Sequence, residues 1–346
     1  MNRAGPLPVF VSLAALAGPQ AQAHHSTFGV YDTSRVVEIE GTIKAVRWRN
    51  PHPTYTLTVT DADGESVDWQ VETGAISTLR LRGLDEDFMA VGDRVTLAGE
   101  GSSRGLPELF ARNLLRPDGI EVLVSASSRP RWSADDPSRL YRPPVDEAAA
   151  AAARSQARGI FRAWTSVFGD PDSFPLYGTA DYPLTAKGQR RKSEWDPRAS
   201  PYVGCGLKGQ PYVMVTPYPL QFLEQDEDIV LHFEEFDVRR LIHMNADGPP
   251  PESQAYSTLG YSVGHWLGRT LVVATTHIEA TEFYGDGTPQ GPSMRTLEHF
   301  TLSADESRLD YHLQIEDPEI FAYPMQFDRY WAWRPEISVQ PFGCEQ

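Results

Sequence analysis

The chain has 346 residues, is 40% hydrophobic and carries a formal charge of -16 at pH 7. That acidic balance lacks the electrostatic footprint of a nucleic-acid partner or of an anionic lipid surface. The length, with 15 Phe, 14 Tyr and 8 Trp, suffices for two packed domains. Glycine-rich phosphate loops, Gly-x-Ser-x-Gly, HExxH and CxxC are all missing from the sequence, which removes the common nucleotide, hydrolase and zinc signatures.

Residues 1–23 read as a leader. Arg3 precedes an apolar core from Leu7 to Ala17, Gly18-Pro19 breaks it, and Ala21-x-Ala23 is a small-residue cleavage pattern. The apolar run is too short for a hydrocarbon layer of roughly 30 Å, and no later stretch has the ~20 apolar residues a membrane helix needs. A periplasmic or secreted chain beginning at His24, with no membrane span, is therefore expected.

The next segment, 24–125, reads as a small β-barrel. Arg35 to Arg49 alternates as a long first strand, and Asn50-Pro51-His52-Pro53 is a turn because neither proline can donate to a ladder. Tyr55, Leu57 and Val59 mark a second strand, Asp63-Gly64 a hairpin turn, and Val67, Trp69 and Val71 a third. The period then becomes helical from Ile76 to Arg82, stopped by Gly83. Val95 and Leu97 mark a fourth strand and Leu109 to Leu115 a fifth, extended by Ile120 to Val124. Three strands, a helix and two strands is the order of an OB-like five-stranded barrel.

A linker is expected over 126–170. It is rich in Ser, Arg, Pro and Asp, then alanine-rich from Glu147 to Arg158 with a helix running on to about Val167. Pro183-Leu184-Thr185 starts a short helix with Trp195 as its anchor. From Tyr212 the pattern is β, with candidate strands at Val213 and Val215, Phe222 and Leu223, Ile229 to Val238, Arg239 to Met244, Arg269 to Thr276, Met294 to Leu302, Leu309 to Ile315 and Met325 to Trp333. Short strands between turn signals imply an antiparallel β-barrel or sandwich over 171–346. The fold class expected is mainly β, two domains joined by a helical linker.

Cleavage after Ala23 would leave His24 with a free α-amine and an imidazole. The amine titrates near 7.7–8, so a metal can displace its proton at neutral pH. Amine, imidazole and one further imidazole make a nitrogen set that suits Cu(II). His24, His25 and His52 are the expected ligands, and copper is the only cofactor the sequence suggests. A second candidate site combines Glu234, Arg240, His243 and His265, polar groups able to serve catalysis or to hold a small apolar molecule inside the C-terminal barrel. Cys205 and Cys344 are the only cysteines. In an oxidising compartment they are expected to form one disulfide.

His24-His25-Ser26, Gly41-Thr42-Ile43, Asn50-Pro51-His52 and Gly92-Asp93-Arg94-Val95 together resemble an uncharacterised family of exported bacterial proteins, over about residues 24–125. From about Gly159 the chain resembles a second uncharacterised exported β-rich module, through Pro183-Leu184-Thr185, Cys205, Gly209-Gln210-Pro211, Arg240 to Met244 and Gly264-His265-Trp266-Leu267-Gly268. That module carries Gly-Asp before its Thr-Leu-Val-Val run, where this chain has Gly268-Arg269, so a carboxylate is missing. Neither resemblance implies a reaction. The leading expectation is an exported metal-binding protein. The alternatives are an enzyme or carrier for a small apolar molecule, and a structural or interaction module of the cell envelope.

Overall fold

The computed structural model describes residues 30–174, 181–196, 199–200, 206–245, 253–279 and 282–344. The protein is mainly β, with a six-stranded sheet followed by a nine-stranded one.

The first sheet runs β3-β2-β1-β4-β5-β6, and a parallel β3–β5 pairing closes it into a barrel. Its strands are β1 (Tyr31–Arg47), β2 (Thr54–Thr60), β3 (Ser66–Glu72), β4 (Arg94–Ser102), β5 (Glu108–Leu115) and β6 (Glu121–Leu123), with α1 (Ile76–Leu81) between β3 and β4. This is the expected order, except that β6 (Glu121–Leu123) is a strand of its own after the Asp118-Gly119 turn, rather than an extension of β5. Strand β1 must serve two partners, pairing β4 over Val36–Thr42 and β2 over Thr42–Arg47. The switch falls at Gly41, where a Cβ would stand 2.4 Å from the Thr58 carbonyl oxygen. Only glycine lets the backbones approach so closely. Alternate residues then point inward: Ile39, Ile43, Tyr55, Leu57, Val71, Val95, Leu97 and Leu109 form the core, plugged by Leu79 of α1.

Helix α2 (Glu147–Gln156) is capped by Asp146, whose carboxylate accepts from the amides of Ala148 and Ala149. The expected continuation to Val167 does not occur. Gly159 takes a positive φ of 51°, and the chain immediately becomes β7 (Ala163–Trp164), with Trp164 buried in the second core. The second sheet thus begins inside the segment expected to be linker.

That sheet runs in sequence order from β7 to β15: β8 (Leu220–Gln225), β9 (Asp228–Phe233), β10 (Arg239–His243), β11 (Tyr261–Leu267), β12 (Thr270–Thr276), β13 (Arg295–Leu302), β14 (Arg308–Glu316) and β15 (Met325–Ala332). Only β10–β11 is parallel. Thr165 and Ala332 exchange backbone hydrogen bonds of 3.0 and 2.9 Å, so the two ends meet and the barrel is nearly closed. Helix α3 (Ala186–Ser193) lies before β8, with Thr185 Oγ1 accepting from Gly188 N as its cap.

Two strand expectations change. Val213 and Val215 lie in a 3-10 turn, Tyr212–Val215, with Val213 and Met214 both buried. Ile229 to Val238 is not one strand, because Phe236 and Asp237 take left-handed backbone conformations and turn β9 into β10.

The barrel interior is filled. Trp331, Phe222, Phe300 and Tyr311 meet in aromatic contacts, among them Tyr311–Trp331 at 5.1 Å and Phe222–Phe300 at 5.3 Å, with Trp164 buried in the same core. The two barrels touch through Ala75, Tyr218 and Phe342. Polar contacts flank that patch: Arg334 Nη1 donates to Leu81 O (3.0 Å), and Arg80 forks onto Glu234 with both distances 2.7 Å.

Candidate metal centre

His52 sits in the turn between β1 and β2, and three neighbours set its state. Its Nδ1 lies 2.7 Å from the carbonyl oxygen of Thr73. A carbonyl only accepts, so Nδ1 carries the proton and Nε2 keeps its lone pair. No hydrogen bond to Nε2 is found among the described residues. The ring packs edge-on against Phe110, 5.8 Å between centres. Burial pushes the imidazole down to about 4, and the nearby Lys208 cation adds to this, against the opposing Thr73 hydrogen bond. At pH 7 His52 is a neutral imidazole that no proton competes for. The turn itself is pinned from the other barrel, since Asn50 Nδ2 donates to Phe342 O.

Phe110 also receives Tyr31, again at 5.8 Å. Tyr31 opens β1, opposite Ser102, and Ser103 N donates to Val30 O at 2.9 Å. The first described residues of the chain therefore lie against the same aromatic ring as His52. Tyr31 donates to Glu72, the residue immediately before Thr73. Burial, and after it the charge of Glu108, lifts the Glu72 carboxyl to about 7 despite that hydrogen bond. Burial and the two carboxylates push the Tyr31 phenol up as well. A neutral imidazole, a half-neutralised carboxyl and a phenol thus surround the place where the chain approaches the barrel. Glu72 and Tyr31 were not foreseen from the sequence; alternation put Glu72 on the face opposite Val71, but nothing local joined it to His52. His24 and His25 lie outside the described residues.

The second set of candidates does not assemble. Arg240 alone points into the C-terminal barrel, where Nη1 meets Glu298 Oε1 at 3.0 Å and Nη2 pairs with Glu298 Oε2. Its Nε donates to Ser262 Oγ (3.0 Å) and Nη2 to Thr275 Oγ1 (2.7 Å), while Tyr311 OH donates to Glu298 Oε1 (2.8 Å). Arg240 is 1% and Glu298 0% exposed, so this is a closed network with its hydrogen-bonding capacity used internally.

Glu234 follows β9 and turns to the other barrel, accepting from Arg80 and from Gln340 N (2.9 Å). His243 faces outward, with Nδ1 3.1 Å from Asp228 Oδ2 and its ring stacked on Tyr261 at 4.8 Å. His265 is exposed on the outer face of β11. Strand alternation separates them: on β10, Arg240 and Ile242 face in while Leu241 and His243 face out. The hollow beside the aromatic mouth (Tyr182, Tyr212, Phe283 and Phe327) is about 10 Å³, room for a single water.

Cys344 is not free; Cys205 lies outside the described residues. Among the described residues no three His, Cys, Asp or Glu side chains stand ready to hold one metal ion, and no helix is long and apolar enough to cross a membrane.

The architecture so far defines a class: a protein of two β-barrels, the first OB-like in strand order. Residues 12–107 match the model of a family of unknown function (DUF6152). That match covers β1 to β4 with the His52 turn, and stops short of the second barrel. No curated protein matches the chain.

Proposed function

We propose that this chain is an exported protein that binds Cu(II), using the α-amine and imidazole of His24 after cleavage behind Ala23, with His52 Nε2 as the third nitrogen and His25 beside it. The observation that carries this reading is the state of His52. Its Nδ1–H is fixed on a backbone carbonyl, its ring is neutral at pH 7 and its Nε2 is unengaged, which is how a protein presents an imidazole to a metal. Reach supports it too. Tyr31 is seven residues on from His24, a span of up to about 23 Å, and Tyr31 and His52 share contact with Phe110. The Cys205–Cys344 bridge belongs to the same proposal, because it needs the same oxidising compartment.

The test is Cu(II) titration of a chain beginning at His24, followed by calorimetry and electron paramagnetic resonance. One Cu(II) per chain with nitrogen hyperfine structure is expected. A chain with one extra residue before His24, and the His52→Ala variant, are each expected to lose at least tenfold in affinity, about 1.4 kcal/mol. Native affinity in both sinks the proposal. The filled interior of the second barrel argues against a carrier of apolar molecules there. Should copper binding fail, an interaction module of the envelope is the reading that remains.

A further inference from the structure

We propose that the outer face of the C-terminal barrel carries a second transition-metal site, suited to Zn(II), with His299 and His312 as its two imidazole ligands and Asp328 as the group that orients one of them. The strand register makes the site. His265 stands opposite Val272, Val272 opposite His299, His299 opposite His312 and His312 opposite Asp328. Residues directly opposite in an antiparallel ladder share a face. The alternating partners Glu298, Phe300, Tyr311 and Leu313 are buried, so this row faces out.

The tautomer of His312 is set from both sides. Nδ1 lies 2.7 Å from Asp328 Oδ1, and Nε2 lies 3.3 Å from Gln314 Nε2. A carboxylate accepts and an amide nitrogen donates, so Nδ1 holds the proton, and the Nε2 lone pair passes from the long Gln314 hydrogen bond to an ion when that amide turns away. A carboxylate behind a histidine in this way is the usual support of a metal-ligating imidazole. His299 has its ring centre 5.9 Å from that of His312, and its Nδ1 has no hydrogen-bond partner. With metal–nitrogen bonds of about 2.1 Å, a ring centre stands roughly 3.2 Å from its ion, and a tetrahedral angle places two such rings roughly 5.2 Å apart. The 5.9 Å pair therefore closes by roughly 0.7 Å, a small side-chain rotation, when the ion enters.

His299, His312, Asp310 and Asp328 line one cleft of about 430 Å³. There is room for waters to complete the coordination, and no third protein ligand is preassembled.

The experiment is Zn(II) calorimetry at pH 7.5 on the full chain, with long-range nitrogen NMR of the imidazoles. His299→Ala and His312→Ala are each expected to remove one Zn(II) equivalent, with the native melting profile kept because both side chains face outward. Asp328→Asn should keep the stoichiometry and weaken binding 10–100-fold. His52→Ala should leave this equivalent in place, which separates it from the copper proposal. A native isotherm in either histidine variant overturns the site, as does loss of all Zn(II) binding in His52→Ala.

Discussion

Two polar clusters, one in each barrel, are treated in opposite ways. In the second, Arg240 and Glu298 are almost wholly shut from water and answer one another, with Ser262, Thr275 and Tyr311 occupying what remains. In the first, His52 has one nitrogen tied to a carbonyl and the other unengaged, while Glu72 is held at the edge of ionisation. A saturated network has no valence left for a ligand, and its business is to specify one packing. An incomplete one keeps a lone pair in reserve. Satisfaction, more than burial, is what separates framework from site.

The most severe way to break that comparison is to open the saturated network. Glu298→Ala strands the Arg240 guanidinium without its counter-charge, and a loss of about 3–5 kcal/mol is expected. Urea unfolding followed by tryptophan fluorescence reads it. The double variant Arg240→Met, Glu298→Leu should recover most of the loss, since apolar replacements need no partner. If the single variant unfolds at the native midpoint, the pair is not part of the framework.

A smaller effect is expected between the barrels. Arg80 is the partner of Glu234, which is 1% exposed; Arg80→Ala leaves that carboxylate only the Gln340 amide. About 2 kcal/mol should be lost. The native chain is expected to unfold in one cooperative step and the variant in two, read by calorimetry. A single unshifted transition would mean that the barrels are held together without this pair, by Ala75, Tyr218 and Phe342 with the Arg334–Leu81 and Asn50–Phe342 hydrogen bonds.

Much of this was legible beforehand, and the limit has a physical cause. Alternation revealed β12 to β15 and β1 to β5, because each strand buries one face and exposes the other. His52 stood out because prolines on both sides of it rule out a strand. The partner of Arg240 did not, since Glu298 is 58 residues away and only cross-strand register unites them. The cluster Glu234, Arg240, His243 and His265 failed for related reasons: Arg240 and His243, three apart on one strand, face opposite sides, Glu234 sits past the end of β9 and turns to Arg80, and His265 lies on the outer face of β11. The 3-10 turn at Tyr212–Val215 was hidden because β-branched residues there pack as a local knot, and β7 was hidden behind an alanine-rich helix whose propensity ran past its true end.

His52→Ala is milder for stability than either charge variant. It removes one neutral hydrogen bond and one edge contact with Phe110, about 1 kcal/mol. Its larger consequence is for copper, as described above.

The finest distinction concerns pH in the metal-free protein. His52 titrates near 4 when folded, against 6.5 when exposed. The unfolded chain therefore binds the proton first, and its contribution to stability is lost as pH falls from about 6.5 to 4. Glu72 titrates near 7 when folded, against 4.5. Here the folded chain holds the extra proton, so stability falls as pH rises from 4.5 to 7. Both side chains are half-buried, and water damps each effect. Between 4.5 and 6.5 the two slopes oppose one another and the native chain should show little net dependence from this pair. Glu72→Gln is expected to uncover stability that rises with pH through this window, and His52→Ala stability that falls. Chemical unfolding midpoints at half-unit pH steps for the three proteins measure the difference, and the many other carboxylates form a background common to all. Parallel curves would mean that neither group is held as its surroundings imply, and the first barrel would then differ less from the second than its unengaged imidazole suggests.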